Sequence, residues 1–154
     1  MRNRLVVLAC AGMVAVIAGC QPGQTKPPQE VTGAPTPRGA VERFLAAVRG
    51  QDLQALGVVW GSKAGPARVT VPREELERRE VIMTQCLAND SASFLDENAA
   101  PEGRRQVRFV LHRGGIHRTT AFTTESGPLE RWYVVEIDLR DTHSCTVEGG
   151  PQGK

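Results

Sequence analysis

Tyrosine occurs once and histidine three times in these 154 residues, and aromatic residues make up only 5% of them. General acid–base sites usually pair a carboxylate or imidazole with a second such group or a tyrosine. So thin a supply yields no dyad, and no catalytic residue is assigned. No cofactor motif and no internal repeat is visible either. Acidic and basic residues balance as well: all 17 acids follow residue 20, while two of the 19 basic residues, Arg2 and Arg4, precede it. Beyond that point the chain is formally neutral, which removes the argument for a nucleic-acid partner. Apolar runs are equally scarce, the one long example being the 13 residues Leu5–Ile17. At ~1.5 Å per helical residue that run spans only ~20 Å, short of a ~30 Å hydrocarbon core.

A basic lead, a short greasy run and two small residues before a cysteine make up the layout of a secretory signal. Ile17-Ala18-Gly19-Cys20 resembles a bacterial lipobox, the pattern Leu/Ile/Val, Ala/Ser, Gly/Ala, Cys. The resemblance implies a signal peptide over residues 1–19, cleavage before Cys20 and a diacylglyceryl thioether on its sulfur. Two acyl chains (the palmitate class) hold a protein firmly at ~0.8 kcal/mol per buried methylene. The expected address is the cell envelope, tethered outside the cytoplasmic membrane or to the outer membrane and facing the periplasm or exterior. The expected partners are that membrane, through the anchor on Cys20, and an envelope protein.

Four cysteines reduce to two under this reading, since Cys10 leaves with the signal and Cys20 carries lipid. Cys86 and Cys145 remain, an even remainder that reads as one disulfide in an oxidising compartment. Its loop of about 60 residues is worth about 4 kcal/mol on chain-entropy grounds. Residues 20–37 hold the lipidated cysteine and a tether rich in proline (Pro22, Pro27, Pro28, Pro35, Pro37), reaching at most ~50 Å in polyproline geometry. One folded domain is expected over 38–147, with a flexible tail at 148–154.

Inside that domain, Thr36-Pro37 reads as a cap and first-turn proline. Val41, Phe44, Leu45 and Val48 then follow at helical spacing to a stop at Gly50. Asp52 caps a second helix carrying Leu53, Leu56, Val59 and Trp60. Gly61–Pro66 breaks the pattern, and Pro72 opens a third helix through Leu76 and Met83 to about Leu87. Glu74, Glu75, Glu77, Arg78, Arg79 and Glu80 are placed on its wet side. Strands are expected at 92–97, at 105–112 with Val107, Phe109 and Leu111 on one face, at 116–125 and at 132–139. Gly114-Gly115 is the hairpin turn, so paired positions should sum to 229, setting His112 opposite His117 and Val110 opposite Thr119. On the last strand Tyr133, Val135, Ile137 and Leu139 are expected to face the core, leaving Glu136 and Asp138 wet. Helices followed by an antiparallel meander define an α+β class.

Ala40-Val41, Phe44-Leu45, Ala47-Val48, Gly50, Asp52, Leu53, Leu56 and Trp60 resemble the opening of the nuclear-transport-factor-two-like superfamily. That resemblance implies a cystatin-like cone over roughly residues 38–140, with a curved sheet wrapping the first helix. The long polar helix at 72–87 departs from the family pattern. Enzymes of the superfamily point a carboxylate or histidine into the cone, which this chain would satisfy only if the Trp132–Glu136 face turned inward. The leading expectation is therefore a non-enzymatic, lipid-anchored domain binding a protein partner or a small apolar ligand. The alternative is a small enzyme or ligand-binding protein using the cone interior.

Two further constellations stand out. His112 and His117 would meet across the hairpin as two potential zinc ligands without a third, so no metal site is assigned. Arg104, Arg105, Arg108, Arg113 and Arg118 make the hairpin basic, with no acid between Glu102 and Glu125. They suit an anionic surface, or the glutamates of the third helix as an internal counterpart.

Overall fold

Thr36 and Pro37 open the first helix as the sequence predicts. Thr36 is extended, and its hydroxyl accepts the Gly39 N–H at 3.0 Å, while Pro37 fills the first turn, where no N–H is needed. The computed structural model describes residues 32–140. Cys10, Cys20, Cys145 and the expected signal and tail lie outside them. Helix α1 (Pro37–Gly50) is followed by α2 (Leu53–Val59), strands β1 (Gly61–Ser62) and β2 (Gly65–Pro66), α3 (Ala67–Thr70) and α4 (Arg73–Cys86). Four antiparallel strands complete the fold in sequential order: β3 (Ser91–Ala99), β4 (Arg105–Arg113), β5 (Ile116–Ser126) and β6 (Trp132–Ile137). The class is α+β. No helix among the described residues is long and apolar enough to cross a membrane.

Two local stops differ from expectation. The turn after α1 is made by Gln51, in the left-handed region at φ 51, rather than by Gly50. Asp52 is already committed as the α2 cap, its carboxylate accepting the Ala55 N–H, so the chain must reverse at the residue before it. The Gly61–Pro66 break is a tight two-strand hairpin, and α3 follows it as a single turn that the sequence reading omits.

The folded unit also begins earlier than residue 38. Gly33 donates to the Val58 carbonyl at 2.7 Å, and Ala34 exchanges two backbone hydrogen bonds with Trp132 at 2.9 and 2.8 Å. Arg131 and Arg43 both donate to the Gly33 carbonyl. A reading based on side-chain apolarity misses this segment because its backbone does the docking.

The β4–β5 register is the predicted one, with His112 opposite His117 and Val110 opposite Thr119. Gly114 and Gly115 take the positive φ values (53° and 81°) that a two-residue hairpin turn requires. Val107, Phe109 and Leu111 are buried, as their alternation implies.

The last strand needs correction. Thr123 pairs with Glu136 but Thr124 pairs with Val134, so Val135 is an extra residue that bulges out of β6. A bulge reverses which face successive side chains take. Trp132 and Val134 therefore join the core before it, and Ile137 and Leu139 after it. The strict alternation Tyr133, Val135, Ile137, Leu139 does not hold. Tyr133 is buried on the other side of the strand, its hydroxyl 3.0 Å from that of Thr32. Glu136 is exposed, in keeping with the sequence reading. A second bulge at Leu95 of β3 lies between the pairs Phe94–Phe109 and Asp96–Arg108.

Between the two bulges the sheet takes α1 onto one face, where the helix packs against β4, β5 and β6. Phe122 is the centre of that contact, edge-on to Phe44 at 6.1 Å and to Phe109 at 6.4 Å. The buried polar groups under the helix are hydroxyls, Thr120 and Thr124. Arg38 lies 4.4 Å over the Phe94 ring and ties the edge strand β3 to α1. Cys86, which ends α4, is buried. The Phe122→Ala variant should lose about 3–5 kcal/mol of unfolding free energy, measured by urea denaturation, because it empties the centre of the ring cluster.

Candidate functional site

Helix α4 is built from charged residues, most of which neutralise one another along its exposed side. Arg73 Nε donates to Glu77 at 2.7 Å, and Arg79 pairs with Glu75, both at i,i+4 spacing. Glu80 departs from this pattern. The sequence reading places it on the wet side, whereas the structure buries it to 2% exposure. Its position explains why. It follows Leu76 by four residues and precedes Met83 by three, so it shares their inward face. That spacing was the available signal, and its charge concealed it.

The Glu80 carboxyl faces α2 at Gly57. A Cβ there would stand 2.7 Å from Glu80 Oε1, so glycine is what admits the carboxyl. Oε1 is buried without a hydrogen-bond partner among the described residues. Burial pushes the Glu80 pKa up to about 7; the charge of Glu77 adds to the rise and Arg68 opposes it. Glu80 is one of the residues lining a cleft of about 280 Å³ between α2, α3 and α4, together with Leu53, Gln54, Arg68, Leu76 and Glu77. Arg68 donates to the Gln54 side-chain oxygen at 3.0 Å.

Two other clefts are less equipped. One of about 500 Å³ beside α1 and α2 holds Arg43 and Asp52, which serve the Gly33 carbonyl and the α2 cap. Another of about 340 Å³ lies between Cys86 and the Gly114–Ile116 hairpin tip and holds Arg113 and Arg118. Neither contains a buried carboxyl or imidazole.

The two histidines do meet. Their Nδ1 atoms are 2.5 Å apart, and His112 Nε2 lies 3.0 Å from the Ser93 hydroxyl, all on an exposed surface. No group of three or more His, Cys, Asp or Glu residues is placed to hold a metal among the described residues. The basic stretch is largely neutralised by neighbouring strands. Arg105 pairs with Glu97 at 2.9 Å, and Arg108 is held by Asp96. Arg104 reaches Glu125 at 3.3 Å, Glu102 at 3.5 Å and Glu136 at 3.7 Å. The acids come from β3, β5, β6 and the β3–β4 connection, not from the α4 glutamates, because sheet pairing sets them beside these arginines. Of the assigned site residues, Cys20 and Cys145 lie outside the described residues.

Compared with known protein families, with characterised proteins and with solved structures, the chain matches none. Its own residues carry the functional reading.

The buried acid has a measurable consequence. A carboxyl whose folded pKa is raised from 4.5 to about 7 contributes stability that is complete below pH 4.5. That contribution falls away as pH rises through about 7 and changes no further above it. Across this window the parent chain should lose on the order of 3 kcal/mol relative to Glu80→Gln. Parallel denaturation series from pH 4 to 8 on the two proteins measure the difference, and parallel curves would contradict the burial of a titrating Glu80.

Proposed function

We propose that the chain is a non-enzymatic, lipid-anchored domain of the cell envelope that binds a small ligand or a partner protein. The anchor is the thioether-linked lipid on Cys20, and the Pro-rich tether lets the domain stand off the membrane. This part of the reading rests on the Arg2/Arg4 lead, the Leu5–Ile17 run and the Ile17-Ala18-Gly19-Cys20 pattern. Cys145 is the proposed partner of Cys86, the choice left when Cys10 departs and Cys20 is acylated. A cystatin-like cone of the nuclear-transport-factor-two-like kind is the proposed shape, supported by α1 lying against a doubly bulged sheet.

One observation favours binding outside the cone over catalysis within it. Phe44, Phe109 and Phe122 form a ring cluster under α1 that leaves only a cleft of about 120 Å³ beside it, while the acid with unmet hydrogen-bonding capacity sits in the larger helix-walled cleft at α2. The anchor is tested by Cys20→Ala. The parent chain should fractionate with membranes and gain the mass of a diacylglyceryl group after losing residues 1–19. The variant should retain its leader and carry no lipid. A parent chain of unmodified mass would overturn the reading.

A further inference from the structure

We propose that the cleft between α2, α3 and α4 binds a short primary alkylammonium ion, with the Glu80 carboxylate as its counter-ion and Leu53 and Leu76 flanking its chain. The proposal rests on the ligand-binding half of the function above and is independent of the lipid anchor.

The argument starts from what the cleft lacks. Its basic groups are already engaged: Arg73 donates to Glu77, and Arg68 donates to Gln54. The unmet capacity is an acceptor, Glu80 Oε1, on a side chain 98% shielded from solvent. An acceptor left dry costs about 1–3 kcal/mol, and more when charged. The group that removes this cost must bring protons and positive charge. Of the charged neighbours, Glu77 and Arg73 stand on α4 with Glu80 and Arg68 on α3, while α2 contributes only the neutral Gln54 and Gly57.

An anion would meet two carboxyls and arginines that already have partners. A neutral alcohol would supply a hydrogen bond but not the charge that stabilises an ionised Glu80. An ammonium group supplies both, with three donors in compact form. Size then limits the rest of the molecule, because about 280 Å³ lies below the 300–1,000 Å³ of drug-sized sites. A short unbranched chain between two leucines fits that limit. Gly57 matters for the same reason it admits the carboxyl, since any larger residue would drive Glu80 from its place.

Binding to an ionised Glu80 carries a proton signature. At pH 6, below its pKa of about 7, the carboxyl is mostly protonated in the empty cleft, and an incoming ammonium must displace that proton. The test is calorimetric titration of the full, untagged chain in detergent with n-butylammonium at pH 6, in two buffers of different ionisation enthalpy. One saturable site is expected, with close to one proton released per amine bound. Glu80→Gln should weaken binding at least about tenfold, as expected for loss of a buried charge partner. n-Butanol and n-butyrate should not saturate the site.

Absence of saturation, unchanged affinity in Glu80→Gln, or preferential binding of butyrate would each overturn the proposal. Should the variant fail to fold, proton release by the unsubstituted chain decides, and binding without it is a refutation. Failure here leaves the Cys20 anchor untouched, and failure of the anchor leaves this titration readable.

Discussion

The contact between α1 and the sheet is the constraint on which the rest of this structure depends. A flat antiparallel meander would offer the helix a plane, whereas extra residues at Leu95 and Val135 bend the two edge strands. Phe44 then reaches Phe122, and Phe122 reaches Phe109, in edge-to-face geometry at centroid separations of 6.1 and 6.4 Å. The three rings occupy the centre of the contact under α1, and the cleft left between α1 and the edge strand is small, about 120 Å³. α2 packs on α1, and α4 on α2, so the second helical layer becomes the place where a polar group can be held in a partly enclosed setting.

Glu80 is costly in that layer. A buried acid with an unpartnered oxygen contributes nothing to holding α4 against α2 in its ionised form, and the structure answers by favouring the protonated form near neutrality. Residues that weaken a fold while lining a cleft are where function is worth seeking. The contrast with Asp96 and Asp138 is instructive. Both are carboxylates held below the usual range by an arginine, Arg108 and Arg140 respectively, and both are surface groups with their partners in place. They neutralise the sheet's basic side chains, whereas Glu80 feels the Arg68 charge but forms no ion pair among the described residues.

The elements legible in the chain were those that local chemistry specifies. The Thr36-Pro37 start, the Asp52 cap, the Gly114-Gly115 turn and the β4–β5 register all follow from interactions spanning a few residues, and each appears where expected. The bulge at Val135 was illegible because period-two alternation assumes a regular strand. Only pairing with Thr123 and Thr124 shows that one residue is left over. The docking of Gly33 and Ala34 was hidden for a different reason: backbone hydrogen bonds to Val58 and Trp132 leave no mark in side-chain pattern.

By itself, then, the sequence determined the α+β order of elements, the helix caps and the hairpin register, because each depends on neighbours in the chain. It also supplied the Ile17-Ala18-Gly19-Cys20 string on which the proposed export and acylation rest, which is a run of residue types and requires no fold. Tertiary structure alone decided the burial of Glu80 against Gly57 and the pairing of Arg104, Arg105 and Arg108 with acids on other strands. The reason is physical. A carboxylate's solvent exposure and its charge partners are set by what lies within a few ångströms in space, and residues 57 and 80 become neighbours only when α2 and α4 pack.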